Sequence, residues 1–252
     1  MESGAPSVQA TETSLRIIEA LVDREGSGVT ELAHHLHLPK STVYNHLKTL
    51  ERNEYVVKHD DVYDVGLRFL QLGDYARNQR RLSRIGPPEV DKLAEETGEM
   101  ANLLVEEHGR GVFIYKSKGS NAVHMDTHEG KRVHLHTTAF GKAIMAYLPR
   151  ERVDEIIDKH GLPEATSATI TNREELFDEL ELIRERGYAF DLEERLKGLH
   201  CIAVPIMKNE TIVGGLSISG PKSRMNGDWL REELPSIIQG TANVIEVNLT
   251  YG

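Results

Sequence analysis

The chain has 252 residues, 39% of them apolar and 28% charged, a soluble globular balance that fits one large domain or two of ordinary size. One cysteine, Cys201, excludes an internal disulfide and a cysteine-based zinc cluster. A polar start and the lack of any apolar run near 20 residues exclude a secretory leader and a membrane span, so the expected location is the cytoplasm.

The net charge of −10 argues against a non-specific nucleic-acid binder, but it is unevenly spread. Residues 1–83 hold 10 Lys/Arg and 12 Asp/Glu with five histidines, while the remainder holds 20 and 28. The acid belongs mostly to the later part.

Residues 1–12 read as a flexible tail. Leu15, Ile18, Leu21 and Val22 then recur at helical spacing from Thr13 to Arg24, and Gly26-Ser27-Gly28 ends that helix. Thr30 is the expected cap of a short second helix with Leu32, Ala33 and Leu36 on one face. After the turn at His37-Leu38-Pro39 a third helix is expected from Ser41 to Arg52. Tyr55–Val57 and Val62–Val65 flank His59-Asp60-Asp61 as a β-hairpin. Helical spacing returns from Leu67 to about Arg80, and Gly86-Pro87-Pro88 is the expected domain boundary.

Beyond it, a short helix is expected over Glu89–Thr97, then strands at Ala101–Glu106, Val112–Lys118, Ala122–Asp126 and Arg132–His136. Helices follow at Thr138–Tyr147 and Arg150–Lys159. Thr171 with Glu174 predicts a capping box for the next helix, which carries Leu176, Leu180 and Ile183 and closes at Gly187. Cys201–Ile206 and Thr211–Ser219 read as a hairpin, and a last helix spans Asp228–Leu249 with a break at Pro235. The fold class is α+β: a winged helix-turn-helix over 13–66, a linking helix over 67–86 and a mixed domain over 87–252.

The most specific pattern lies in residues 29–66, where helix, turn, longer helix and hairpin follow in the order of a winged helix-turn-helix. At roughly 100° per residue, Val43, Leu47 and Leu50 share one side of the third helix. The other side carries Ser41, Asn45, Lys48 and Arg52, flanked by Thr42, Tyr44 and Thr49, with Lys40 at the start. It lacks acids and large aliphatic groups, whereas an ordinary solvated face of so acidic a chain would mix in Glu and Asp. Asn reads adenine edges, Arg reads guanine, and Lys and hydroxyls meet phosphate, so this side suits a major groove. The wing offers Lys58 but also Asp60, Asp61 and Asp64, a weak contact. Arg77, Arg80, Arg81 and Arg84 have two readings, phosphate contacts or pairing with the acidic later part.

The runs Val29-Thr30-Glu31-Leu32-Ala33, Leu38-Pro39-Lys40-Ser41-Thr42-Val43 and Leu47-Lys48-Thr49-Leu50 resemble the IclR family of transcriptional regulators. So do His136–Ala143, Ile183–Asp191, Gly198–Pro205 and Ile218–Pro221, and the likeness covers nearly everything after residue 12. Asn45 stands where many members carry Arg. The resemblance implies a GAF-like effector-binding domain, no enzymatic activity and no cofactor. It also implies a homodimer, or a tetramer, on a palindromic double-stranded DNA operator. A small metabolite, an organic acid or sugar-derived compound, would bind at Thr138, Ala139, Asp191, Cys201, Ser217 and Ser219. Ser217 and Ser219 are two apart on one strand, so their hydroxyls face one side, and Thr138 and Ala139 open a helix whose free N–H groups attract anions. The bland alternative makes the two serines and Cys201 small core residues.

His124, His128, His134 and His136 crowd together with Asp126 and Glu129, but their spacing matches no closed metal motif. The stretch around Gly141-Lys142-Ala143 fails as a phosphate loop, because His136 and Ala143 replace the required Gly and Ser/Thr. The alternative function is a small-molecule or metal sensor acting through protein contacts.

Overall fold

Helical spacing in the first third of the chain produces three helices around one small core. The computed structural model describes residues 7–123, 125 and 127–252. The chain divides into two units, residues 1–76 and 77–252. α1 (Gln9–Asp23) starts inside the stretch read as a tail and buries Thr13, Ile17, Ala20 and Leu21. Leu15 and Val22, expected on its inner face, are 54% and 60% exposed. The true seam follows the i, i+4, i+7, i+8 stripe of Thr13, Ile17, Ala20 and Leu21, and Leu15 and Val22 lie off it.

α2 (Val29–Leu36) buries Leu32, Ala33 and Leu36 as expected. Its cap is Gly28, not Thr30, which lies inside the first turn. His37 ends it with a left-handed backbone, and α3 (Lys40–Arg52) follows from Pro39. α3 drives Val43 and Leu47 into the core of α1 and α2. β1 (Val56–His59) and β2 (Val62–Val65) form the two-stranded wing. The wing is pinned beside α2 by two backbone hydrogen bonds between Ser27 and Tyr63, each 3.0 Å. Val56 and the buried ring of Tyr63 close the core.

The expected long helix after the wing is cut in two, as α4 (Arg68–Asn78) and α5 (Arg81–Ile85). Gly86-Pro87-Pro88 does not separate domains; the two prolines open α6 (Pro87–Thr97), where their missing N–H groups cost nothing.

The second unit is built on a six-stranded sheet in which all neighbours are antiparallel. Its strands are β3 (Met100–Glu107), β4 (Arg110–Lys118), β5 (Arg132–His134), β6 (Ala189–Leu192), β7 (Leu199–Lys208) and β8 (Thr211–Pro221), in the order β5-β4-β3-β8-β7-β6. α7 (Ala139–Met145), α8 (Arg150–His160) and α9 (Arg173–Arg186) share a core with Met100, Leu104, Phe113, Cys201 and Ala203 on one face. α5, α6 and α10 (Leu234–Tyr251) share another with Ala101, Leu103, Ile202, Val204, Leu216 and Ile218. Covered on both faces, β3 is buried from Met100 through Val105 and reads as a continuous apolar run broken only by Asn102.

Ala122, Val123 and Met125, read as part of a strand, are irregular; His124 and Asp126 lie outside the described residues. Asn172 rather than Thr171 caps α9, its side chain accepting from the N–H groups of Glu174 (2.8 Å) and Glu175 (3.2 Å). Gly187 ends that helix with φ +82°, a backbone glycine adopts without strain. Gly141 serves a close approach: a Cβ there would stand 2.1 Å from the Leu135 carbonyl, so only glycine lets α7 fold back on the turn before it. The last helix begins as a π-helical turn at Trp229–Glu233 and becomes regular with Pro235 in its first turn. No helix among the described residues is long and apolar enough to cross a membrane.

Candidate nucleic-acid interface and effector cavity

With Val43 and Leu47 fully buried, helical geometry turns Asn45, Lys48, Thr49 and Arg52 outward, and all four are exposed or half-exposed at the surface. Lys40, Ser41 and Tyr44 are exposed too, and Thr42 is half-buried. Asn45, Lys48, Thr49 and Arg52 line one surface depression, and Glu51 lines it with them. The face is therefore not free of acid. Lys48 Nζ donates to Glu51 Oε2 at 2.7 Å, and that bond raises the lysine pKa. Thr49 Oγ1 donates to the Asn45 carbonyl (2.9 Å), and Asn53 Nδ2 to the Thr49 carbonyl (2.7 Å), which leaves the Asn45 amide side chain outside these bonds.

On the wing, Lys58 is exposed, lies over the Tyr63 ring and pairs with Asp61 at 3.3 Å, so the acid next to it already offsets its charge. Two of the arginines after the wing, Arg77 and Arg80, pair with acids. Arg77 bonds Glu129, Arg80 bonds Glu107 at 2.5 Å, and Arg81 donates to the Gly252 and Asn248 carbonyls. Arg84 is exposed.

The second site comes from strand register. Across the sheet, Asp191 pairs with Cys201, Cys201 with Ser219 and Ser219 with Met100. The next row on the same face, two residues along, is Ala203, Ser217 and Asn102. Facing these rows, Thr138, Ala139 and Phe140 come from the start of α7, and the rest of the wall includes Phe113, Met125, Thr127 and Arg195. Together they enclose a narrow cavity of about 10 Å³, room for about a single water molecule.

Five of the six residues expected there, Thr138, Ala139, Asp191, Cys201 and Ser219, line this cavity. Ser217 does not; it is the cross-strand neighbour of Asn102, whose Nδ2 donates to Ser217 Oγ at 3.3 Å. The helix-end case for an anion weakens, because α7 is only seven residues long and the Thr138 hydroxyl already accepts from the Gly141 N–H at 3.2 Å. Sequence reasoning misses Asn102, Thr127 and Arg195. The one signal for Asn102 is an amide inside an apolar run; Thr127 and Arg195 sit in loops that no periodicity marks.

Asp191 is buried, and its Oδ1 accepts from the Glu194 N–H at 2.7 Å. Burial first, then the charge of Glu194, push its carboxyl up to about 7, so near neutral pH it is part protonated and can donate. Burial likewise pushes the Cys201 thiol well up, which keeps it neutral. Lys142, 1% exposed, holds Glu194 Oε1 at 2.5 Å. Thr166 and Thr169 hydroxyls fix the Glu193–Glu194 backbone from the other side, and the Arg195 guanidinium sits over the Phe113 ring.

Of the crowded histidines, His128 is exposed and its ring meets the Glu129 carbonyl. His134 contacts the rings of His136 and His160 edge-on, at 5.5 Å and 6.5 Å. Burial first, then nearby Arg110, push His134 down to about 4, so it stays neutral. His136 Nε2 meets the Pro163 carbonyl at 3.1 Å. Among the described residues no three His, Cys, Asp or Glu side chains are placed to hold a metal ion.

Comparison with known proteins gives the same two parts. Residues 10–60 match the IclR helix-turn-helix domain, and residues 76–247 match the C-terminal domain of bacterial transcriptional regulator IclR. A probable HTH-type transcriptional regulator, ArcR of Halobacterium salinarum, is 34% identical over 94% of this chain and 92% of its own. The crystal structure of Thermotoga maritima IclR superposes with a TM-score of 0.78 at 31% identity, covering 96% of this chain and 98% of that one. An IclR homologue from Microbacterium hydrocarbonoxydans, crystallised with 4-hydroxybenzoate, has the same fold, with a TM-score of 0.82 at 22% identity over 96% and 99% of the two chains.

Proposed function

Because this chain belongs to the IclR family and is a DNA-binding transcriptional regulator rather than an enzyme, we propose that it binds a palindromic operator as a homodimer, or as a tetramer of two such pairs, under the control of a small organic acid or sugar-derived effector. The observation that carries the DNA contact is the α3 face, with Asn45, Lys48, Thr49 and Arg52 turned out by the burial of Val43 and Leu47. Arg52 and Asn45 read base edges there, while Lys40, Ser41, Thr42, Tyr44, Lys48, Thr49 and, on the wing, Lys58 meet the backbone.

Dimerisation is supported by apolar groups with nothing over them in one chain. α4 buries no residue, yet it carries Leu70 and Tyr75, both more than 60% exposed, and Leu15 and Val22 lie bare on α1. Two copies joined this way give two α3 helices for two half-sites.

The effector enters the cavity walled by Thr138, Ala139, Asp191, Cys201 and Ser219. At about 10 Å³ the cavity admits a metabolite only if wall side chains such as Arg195 move, and that movement is where ligand binding couples to DNA affinity, by typically about 1–3 kcal/mol.

Sequencing DNA fragments retained by the purified protein tests the reading; a shared palindrome is the expected result. In gel shifts on that palindrome, Arg52→Ala and Asn45→Ala each weaken binding by about 10- to 100-fold with an unchanged melting temperature. Wild-type affinity in both variants would remove the groove assignment.

A further inference from the structure

The effector cavity has two polar atoms on its wall with nothing in the protein to bond to. Asn102 is 1% exposed and its Oδ1 has no hydrogen-bond partner; Thr127 is 5% exposed and its Oγ1 has none. Buried side-chain polar atoms are nearly always paired, because leaving one unpaired forfeits its bonds to water. Among the described residues the other such atom is Glu194 Oε2, on a carboxylate whose second oxygen holds Lys142.

Both orphans are held in place. Asn102 sits mid-strand in β3, between the Ser217 and Lys116 registers, and its Nδ2 donates to Ser217 Oγ, which holds the amide in place while Oδ1, an acceptor only, is left without a donor. The backbone of Thr127 is tied by Lys116 Nζ donating to its carbonyl. A hydroxyl is the ligand group that satisfies both atoms, donating to the amide oxygen and accepting from the threonine O–H. Arg195 supplies the wall's cation, suited to a carboxylate.

On the reading that this cavity is the effector site, we propose that Asn102 and Thr127 are its specificity residues and that the effector is a hydroxylated carboxylic acid, its hydroxyl bonded to Asn102 Oδ1 and Thr127 Oγ1 and its carboxylate to Arg195. An unhydroxylated acid of the same length would leave both orphans unpaired and bind more weakly, by the asymmetry that lets a site built for a hydroxyl reject its deoxy analogue.

Melting of the full-length protein tests this with simple acids as probes. Without ligand, Thr127→Val should melt a few degrees higher than wild type, because it removes an unpaired buried hydroxyl at nearly constant shape. A lower melting temperature would mean the hydroxyl has a partner in the folded protein and would overturn the proposal. With ligand, the probes are two sets matched in carbon number: propanoate, lactate and glycerate, then hexanoate and gluconate. The hydroxylated members should raise the wild-type melting temperature more than propanoate or hexanoate, and Asn102→Leu and Thr127→Val should erase the difference. If propanoate and hexanoate shift it as far as their hydroxylated counterparts, and Arg195→Gln abolishes those shifts, the hydroxyl assignment falls and the effector cavity stands. If none of the five shifts it, both fall together.

Discussion

The face of α3 and the cavity beneath α7 are both polar clusters set on apolar supports, but they meet water in opposite ways. Asn45, Lys48 and Arg52 stand at the solvent boundary on a helix whose position two buried residues decide. Asp191, Cys201, Ser219 and Asn102 are buried on a sheet, next to one another only because four strands pair in a particular register. In the first place charge is cheap and screened, so an exposed pair such as Lys48–Glu51 is weak and easily exchanged for another partner. In the second, burial resets it: a carboxyl that holds its proton to about pH 7, a thiol that stays neutral, a lysine locked to a glutamate. A surface suits a polyanion that brings its own charge; a dry pocket suits a small molecule chosen atom by atom.

That contrast breaks first, and hardest, at Lys142. Replacing it with methionine leaves Glu194 buried without its cation, a change that costs about 3–5 kcal/mol where buried pairs are split. Denaturant unfolding should show the second unit destabilised by that order while the helix-turn-helix is untouched. A loss below about 1 kcal/mol, the range of exposed pairs, would mean the pair is solvated. The exposed Lys48–Glu51 pair offers no counterpart of that size.

Stability against pH sharpens the comparison further, since the resolved carboxyl and histidine shifts of largest size lie in the second unit. Unfolded, Asp191 releases its proton near 3.8; folded, it keeps it to about 7, so its contribution is lost as pH rises from about 4 to about 7. His134 runs the other way. Unfolded it takes up a proton near 6.5, folded it resists to about 4, so its contribution is lost as pH falls across that span. The two slopes oppose each other between about pH 4 and 6.5. Asp191→Asn should leave stability falling toward acid, and His134→Gln should leave it falling toward neutral pH. Chemical denaturation from about pH 4 to 8 reads both, and parallel curves for the two variants would refute the assignment.

The smallest effect lies on α3. Glu51→Gln frees Lys48 from its 2.7 Å partner, so operator affinity should rise by less than about threefold and the salt dependence should steepen by about one phosphate. Titrating operator binding over salt concentration measures it. An unchanged slope would show that Lys48 does not meet a phosphate.

The two sites also differ in how legible they are in the sequence. The outward side of α3 follows from spacing alone, since one buried valine and one buried leucine fix the rotation of a straight helix. The same logic misjudges α1, where Leu15 and Val22 outrank Ala20 and Thr13 in hydrophobicity but face away from the core. Capping shifts by one or two residues at Gly28 and Asn172, because several residues near a helix start can cap and only the backbone path selects one. The acid on the recognition face escapes the spacing argument, as Glu51 reaches back one turn to Lys48 from near the end of the helix.

What the order of residues determined by itself is local: the helix-turn-helix with its wing, the hairpin of β7 and β8, the break before Pro235, and which side of α3 turns outward. Each depends on neighbours within a few positions, where periodicity and turn chemistry act directly. The tertiary structure alone decided that Arg77 and Arg80 answer Glu129 and Glu107, that Asn102 bonds Ser217, and that Thr127 and Asn102 line one cavity. Those residues stand 25 to 115 positions apart in the chain, and strand pairing and chain closure, not spacing, bring them together.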